Sequence, residues 1–265
     1  MPETMVAGGL LGVDEPAPVL IRNAQGASPF LVTVDHAGRR IPRTLGTLGL
    51  EAARIERHIG WDIGILAVSE AMSACMDAPL IAQIYSRLVI DCNRQPGRPS
   101  SIPEISETDV IPGNIGLSPD DRALREATFL VPYQAAIADA LEARLSAGRP
   151  VVLLAMHSFT PHYKNEARPM AAAVMWGRDD RFGRLVLEEM RRLRPDDLIA
   201  ENLPYAVDPE SDYTVPMQAE RRGVAYLAVE IRQDLISDAQ GIAQWAAVMV
   251  CAVERAGARF LSGAA

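Results

Sequence analysis

Two histidines and a glutamate stand at or near the ends of apolar runs, where a folded sheet would present them. His36 closely follows Phe30-Leu31-Val32-Thr33-Val34, His157 follows the unbroken apolar run from Val151 to Met156, and Glu230 lies near the end of the run from Ala225 to Ile231. Two imidazoles and a carboxylate are donors that a catalytic zinc site uses, with a further position open for water. The plain alternative for each histidine is a hydrogen-bonded surface or core residue, an alternative weakened because the chain has only 4 His. Another ligand could come from His58-Ile59-Gly60-Trp61-Asp62-Ile63-Gly64. Asp62 there is either a helix N-cap, where the dipole favours a carboxylate, or a metal ligand, and His58 is the other candidate. Spacing does not choose between them. Strand alternation puts Glu230 on the face opposite Val229 and Ile231, in company with Arg232. A carboxylate in an apolar strand is costly unless it is paired or functional.

In Tyr85-Ser86-Arg87-Leu88-Val89-Ile90-Asp91-Cys92-Asn93-Arg94, polar residues break into an apolar stretch. Arg87 and Arg94 could offer forked donors to a substrate carboxylate, or could form structural bridges with Asp91 or Glu107. Ser158, next to His157, raises the alternative of a metal-free hydrolase with a serine nucleophile. No Gly-x-Ser-x-Gly elbow surrounds it.

Positioning these groups requires strands alternating with helices. Extended runs are predicted at Phe30–Val34, Leu80–Tyr85, Leu88–Ile90, Val151–Met156, Ala171–Met175 and Tyr226–Ile231. Helical patterns cover residues 50–58, a segment from Asp62 with Ile63, Leu66, Ala67, Ala71 and Ala74 on one face, and residues 179–193. Another starts at Ser118, with Pro119 at its first position, and runs toward Gly148 with a break or kink forced by Pro132. Ser237 and Gln240 read as a capping box for a last helix over 238–256. Residues 95–117 are a Pro-, Gly- and Ser-rich loop, long enough to suggest a functional role. This alternation predicts an α/β domain with a largely parallel sheet, whose ligands bind beyond the carboxyl ends of the strands. Residues 1–18 read as a loose arm available for a homodimer contact, and 19–265 as a single domain.

At 265 residues and 49% apolar, the chain is long enough for one sizeable core, built mainly of Leu, Val, Ile, Ala and Met because aromatics are only 5%. A net charge of −8, with no basic run longer than Arg39-Arg40 or Arg191-Arg192, argues against a nucleic-acid partner. A local arginine cluster can still hold a small carboxylate. Cys75, Cys92 and Cys251 match no zinc or redox spacing, and their odd number argues for a reducing compartment. No apolar run approaches the ~20 residues of a membrane span, and the start of the chain lacks a signal-peptide pattern. A cytoplasmic location is therefore expected, with no membrane partner.

Taken in order, several motifs resemble the N-formylglutamate amidohydrolase family, best its shorter predicted-amidohydrolase branch. They are Asp35-His36-Ala37-Gly38 with Ile41-Pro42, His58 to Gly64, Ser86 to Arg94, Val110-Ile111-Pro112-Gly113-Asn114, His157-Ser158-Phe159-Thr160-Pro161 and Glu230-Ile231-Arg232-Gln233-Asp234. The likeness runs from about Pro29 to Trp245. That family is similar to zinc carboxypeptidases and aminoacylases. The resemblance implies a three-layer α/β/α sandwich around a mixed, mostly parallel sheet (phosphorylase/hydrolase-like). It implies that His36 and His157 hold Zn2+ or another divalent metal, and that Glu230 is the base for the attacking water. Asn93 and Arg94 would hold a substrate carboxylate, and Arg87 would polarise the scissile carbonyl. The carboxypeptidase group has a glutamate three residues after its first histidine, where this chain has Arg39. The remaining ligand must then come from elsewhere, and Asp62 is assigned to it. In the deformylase branch a histidine aligns with Asp62. The implied reaction releases formate or another small acid from an N-acyl amino acid such as N-formylglutamate. The absent glutamate favours the competing reading, a non-catalytic carboxylate-binding protein of the same fold without its metal.

Overall fold

The apolar runs pair into one sheet flanked by helices. The computed structural model describes residues 9–263, so residues 1–8 of the expected arm lie outside the described residues. In chain order the main elements are β1 (Val19–Arg22), β2 (Phe30–Val34), α1 (Ile65–Met76), β3 (Leu80–Gln83), α2 (Val131–Ser146) and β4 (Val152–Phe159). They continue with β5 (Ala172–Met175), α3 (Arg181–Leu193), β6 (Ile199–Glu201), β7 (Ala225–Arg232) and α4 (Ala239–Leu261). The strand order is β1-β3-β2-β4-β7-β5-β6. Pairings are parallel except β1 with β3 and β7 with β5.

Strands β2 to β5 are buried along their whole length, as expected where helices cover both faces. From β2, Phe30 points to one face, with its ring 6.1 Å from that of Phe182 in α3. A Cβ on Gly257 of α4 would come within 2.6 Å of Phe30. Asp35, just past β2, points to the other face and accepts a hydrogen bond from Tyr133 of α2 at 2.8 Å. The fold is thus a three-layer α/β sandwich, with α1, α3 and α4 on one side and α2 on the other. Strand β5 runs against its neighbour because no helix separates it from β4. A short hairpin at the carboxyl end of β4 (His162–Tyr163 with Glu166–Ala167) turns the chain back into the sheet from that end.

Several local expectations are corrected. Leu88–Ile90 is a buried turn, and residues 50–58 hold a single helical turn at Ala52–Ile55. The cap of α4 is Asp238, whose carboxylate accepts from the Gly241 amide at 2.8 Å. The Ser237 hydroxyl instead donates to the Asp234 carbonyl, and α4 runs on to Leu261. Edge strands β1 and β6 carry no clear alternation and were not foreseen. Ser118 and Asp121 do form a capping box, and Pro132 is accommodated by a π-helical turn at Glu126–Leu130 immediately ahead of α2. Residues 9–18 hold no strand or helix, but Leu10 and Leu11 pack on the core and Arg43 pairs with Asp14.

One buried cation ties the long loop to the helical segment that begins after Ser118. Arg125 is 2% exposed and donates to the carbonyls of Val89 and Gly113 and to Asn114 Oδ1. Asn114 in turn donates to the carbonyls of Leu88 and Pro103. Leaving buried acceptors without donors costs ~1–3 kcal/mol each. Arg125→Met is therefore expected to lower stability by roughly 2–4 kcal/mol, read as a reduced urea midpoint. An unchanged midpoint would show that this clamp does not hold the loop.

Candidate active site

Register brings the expected residues to one level of the sheet. His157 of β4 lies directly beside Glu230 of β7. Thr33 of β2 pairs with Ala155 of β4, so Asp35 follows at the level of His157. The turn after β2 carries His36, and the His36 carbonyl accepts from the Asp62 amide at 2.9 Å. Asp62 is not the helix cap. Gly64 takes that place with φ of 80°, and α1 begins at Ile65. A Cβ on Gly64 would meet the Ile236 carbonyl at 2.1 Å, so only glycine fits this turn. The Asp62 carboxylate is thereby free to face the histidines.

Asp62 Oδ2 lies 3.3 Å from His36 Nδ1 and 3.0 Å from His157 Nδ1. Ligating atoms of the three buried residues all fall within 4.8 Å of one another. Each outer imidazole nitrogen meets a different carboxylate: His36 Nε2 lies 2.7 Å from Asp91, and His157 Nε2 lies 3.2 Å from Asp35. Such carboxylate contacts orient metal-binding histidines and make their inner nitrogens better donors. Asp35 is itself fixed by the hydroxyls of Tyr133 and Thr214. His58 stays outside the cluster, 3.3 Å from Glu107. Arg39 turns to the surface, pairing with Glu56 and stacking on Trp61.

Burial would push both imidazoles toward neutrality. The carboxylates around them outweigh it, despite Arg87 beside His36, so His36 titrates above the ordinary histidine range and His157 well above it. Burial would likewise raise Asp62, but the two histidines hold it far below the usual carboxylate range. Two imidazole Nδ1 atoms converging on one buried carboxylate oxygen mark a place where a single divalent cation could sit. The donor set of two imidazoles and a carboxylate suits zinc.

Glu230 Oε2 is inaccessible and, among the described residues, has no hydrogen-bond partner. Burial, helped by Asp62 and opposed by His157, pushes this carboxyl up to about 7. Arg232, the partner that would explain Glu230 structurally, instead donates to Asp234 at 2.8 Å. Arg87 donates to Asp91 at 2.6 Å and to Asp62 at 3.4 Å. Glu107, the other expected bridge, pairs with Arg57 at 2.5 Å. Asn93 accepts from the amides of Tyr213 and Thr214, and its own amide donates to Asp212 at 3.3 Å. Arg94 also donates to Asp212, at 2.9 Å. The Ser158 hydroxyl donates to the Ile63 carbonyl at 2.9 Å and, among the described residues, makes no hydrogen bond to a histidine, which leaves the serine-nucleophile alternative without a base.

Two cavities open above these residues. One, of ≈ 360 Å³, reaches Asn93, Arg94 and Asp212. The other, of ≈ 630 Å³, runs beneath the hairpin that follows β4. They share Asp62, Arg87, Arg94, Tyr205 and Glu230. Among the described residues, no helix is long and apolar enough to cross a membrane.

Residues 28–237 match the model of the N-formylglutamate amidohydrolase family. The chain belongs to that family. The gene product Atu2144 from Agrobacterium tumefaciens is 32% identical, with a TM-score of 0.91 over 95% of this chain and 99% of that one. N-formylglutamate amidohydrolase from Ralstonia eutropha JMP134 shares the fold at 21% identity, with a TM-score of 0.67 over 91% of this chain and 98% of that one. No curated protein was found to match. For this member of the N-formylglutamate amidohydrolase family, Asp35, Asp91 and Asp212 are the site residues that sequence reasoning did not place. Asp35 precedes a candidate ligand and Asp91 lies four residues after Arg87, so both carried a local signal. Asp212 carried none, because its partners are more than a hundred residues away.

Proposed function

We propose that the protein is a divalent-metal-dependent amidohydrolase that releases formate or another small acid from an N-acyl amino acid such as N-formylglutamate. The observation that carries this reading is the convergence of His36, Asp62 and His157, with Asp91 and Asp35 behind the histidines and Glu230 beside them. His36 Nδ1, His157 Nδ1 and Asp62 Oδ2 would hold the ion. A cation there would supply Lewis acidity toward the amide carbonyl and acidify water near neutral pH.

The chain's own groups do the rest. Glu230, beside His157 at the floor of both cavities, accepts a proton from the attacking water and returns it to the leaving nitrogen. Arg87, held in place by Asp91 and Asp62, directs a guanidinium at the scissile carbonyl oxygen. Asn93 and Arg94 hold the amino acid's carboxylate. In the structure Asp212 occupies that receptor, so the substrate must displace it. The test of the whole reading is to load the purified protein with zinc and screen N-formyl and N-acetyl amino acids for released amine.

An internal carboxylate that competes with substrate lowers apparent affinity by the fraction of time it is bound. Asp212→Asn is expected to lower KM for substrates bearing a free α-carboxylate by roughly 3- to 10-fold, with little change in kcat. A raised KM would instead make Asp212 a contributor to substrate binding.

A further inference from the structure

The carboxylates behind the two histidines are held in different ways. Asp91, behind His36, is held by charge: Arg87 donates to it at 2.6 Å and Arg94 lies 3.7 Å away. Asp35, behind His157, is 2% exposed and, among the described residues, has no arginine or lysine within ion-pair distance. Two hydroxyls stand in for the missing cation. Tyr133 and Thr214 donate to the same oxygen, Oδ1, at 2.8 Å and 2.7 Å. Oδ2 is left to His157 Nε2, 3.2 Å away.

The polarity of the Thr214 hydroxyl is fixed from behind. Gln134 of α2 places its Nε2 between the Cys92 carbonyl at 2.9 Å and the Thr214 hydroxyl at 2.8 Å. A carbonyl only accepts, so Gln134 must turn its NH2 that way. Its Oε1, on the other side, accepts from Gln218 at 2.9 Å. Thr214 Oγ1 therefore accepts from Gln134, and its one proton is left for Asp35. Gln134, Thr214 and Gln218 are buried, and none of them is among the described residues that line the two cavities. They reach the site only through Asp35.

We propose that Thr214, oriented by Gln134, is a positioning residue: it fixes Asp35 against His157, so that this imidazole keeps its proton on Nε2 and presents the Nδ1 lone pair to the metal. This role rests on the reading of His157 as a metal ligand. Without one of its two hydroxyl donors the buried carboxylate is left short of hydrogen bonds and turns about its last bond, and the imidazole loses its fixed partner.

The experiment titrates zinc into the folded full chain against a competing chromophoric chelator. Thr214→Val, nearly isosteric, is expected to weaken zinc binding by roughly 10- to 100-fold, and Thr214→Ser, which restores the hydroxyl, to recover most of it. Thr33→Val is the control for losing a buried hydroxyl, because Thr33 is equally buried but donates to the Leu154 carbonyl. It should bind zinc as wild type does. Gln134→Met, which leaves the Thr214 proton undirected, should show a smaller loss and takes the place of Thr214→Val if that variant does not fold. Wild-type zinc affinity in the variant that folds, or an equal loss in Thr33→Val, overturns the proposal. Long-range proton–nitrogen NMR of the zinc-loaded wild type should find the His157 proton on Nε2, and a proton on Nδ1 overturns it as well. If wild type binds no zinc, the metal reading fails, and the same spectra of the metal-free chain test Thr214 by itself. The His157 Nε2 proton resonance should then move in Thr214→Val and stay in place in Thr33→Val; a resonance unmoved in Thr214→Val refutes the role.

Discussion

Replacing Glu230 with Gln is expected to cut kcat by ~10²–10⁴-fold, the usual range for a lost general base, while zinc content and substrate affinity survive. Gln keeps the size of the side chain and a carbonyl acceptor but cannot take a proton. The expectation follows from two features of the strand. Glu230 stands beside His157 across parallel strands, and among the described residues its Oε2 has no donor to satisfy it. Its carboxyl, pushed up to about 7, is matched to proton transfer near neutral pH. A structural salt bridge with Arg232 was the competing explanation, and Arg232 is committed to Asp234. Steady-state kinetics on any N-acyl amino acid that wild type hydrolyses, with metal analysis of both proteins, decides the matter. Near-normal turnover in the Gln variant would remove Glu230 from the mechanism.

The second large effect concerns the metal. His36→Ala and His157→Ala are each expected to lose most bound zinc, whereas His162→Ala, altering an exposed hairpin residue, should retain it. Asp62→Asn should behave like the two histidine variants and His58→Gln like His162→Ala, because His58 lies by Glu107 and outside the cluster. Removing one member of a buried charged group can cost ~3–5 kcal/mol, so His36→Gln and His157→Gln serve as folded controls. Equal metal content in all of these variants, when folded, would refute the site.

Acidity should weaken the metal as well. The raised titration of both histidines means that protons compete for the inner nitrogens. Zinc affinity should therefore fall as pH falls, by up to about 100-fold per pH unit if two protons leave on binding. Calorimetry in two buffers of different ionisation enthalpy counts those protons. A proton count near zero would mean that the cation binds elsewhere.

Much of this protein was legible in the order of its residues. Apolar runs with little polar interruption are stable only as strands covered on both faces, so β2, β4, β5 and β7 and the α/β class with a largely parallel sheet could be read from the pattern of residues, while the three layers were implied by the family resemblance. A histidine or glutamate at the end of such a run is carried to the rim of the sheet wherever the strand pairs, which is why His36, His157 and Glu230 stood out. Tertiary structure decided what depends on contacts between distant segments. Asp62 could have been a cap or a ligand; Gly64 takes the cap, which leaves the carboxylate facing the two histidines. Asp35 became a support for His157 only when the strands came into register, and Asp91 a support for His36 only when the buried turn before it folded against the site. Asp212 reached Asn93 and Arg94 across more than a hundred residues. Antiparallel β5 and edge strands β1 and β6 were likewise settled by pairing, because a short strand takes its direction and place from the neighbour that satisfies its backbone.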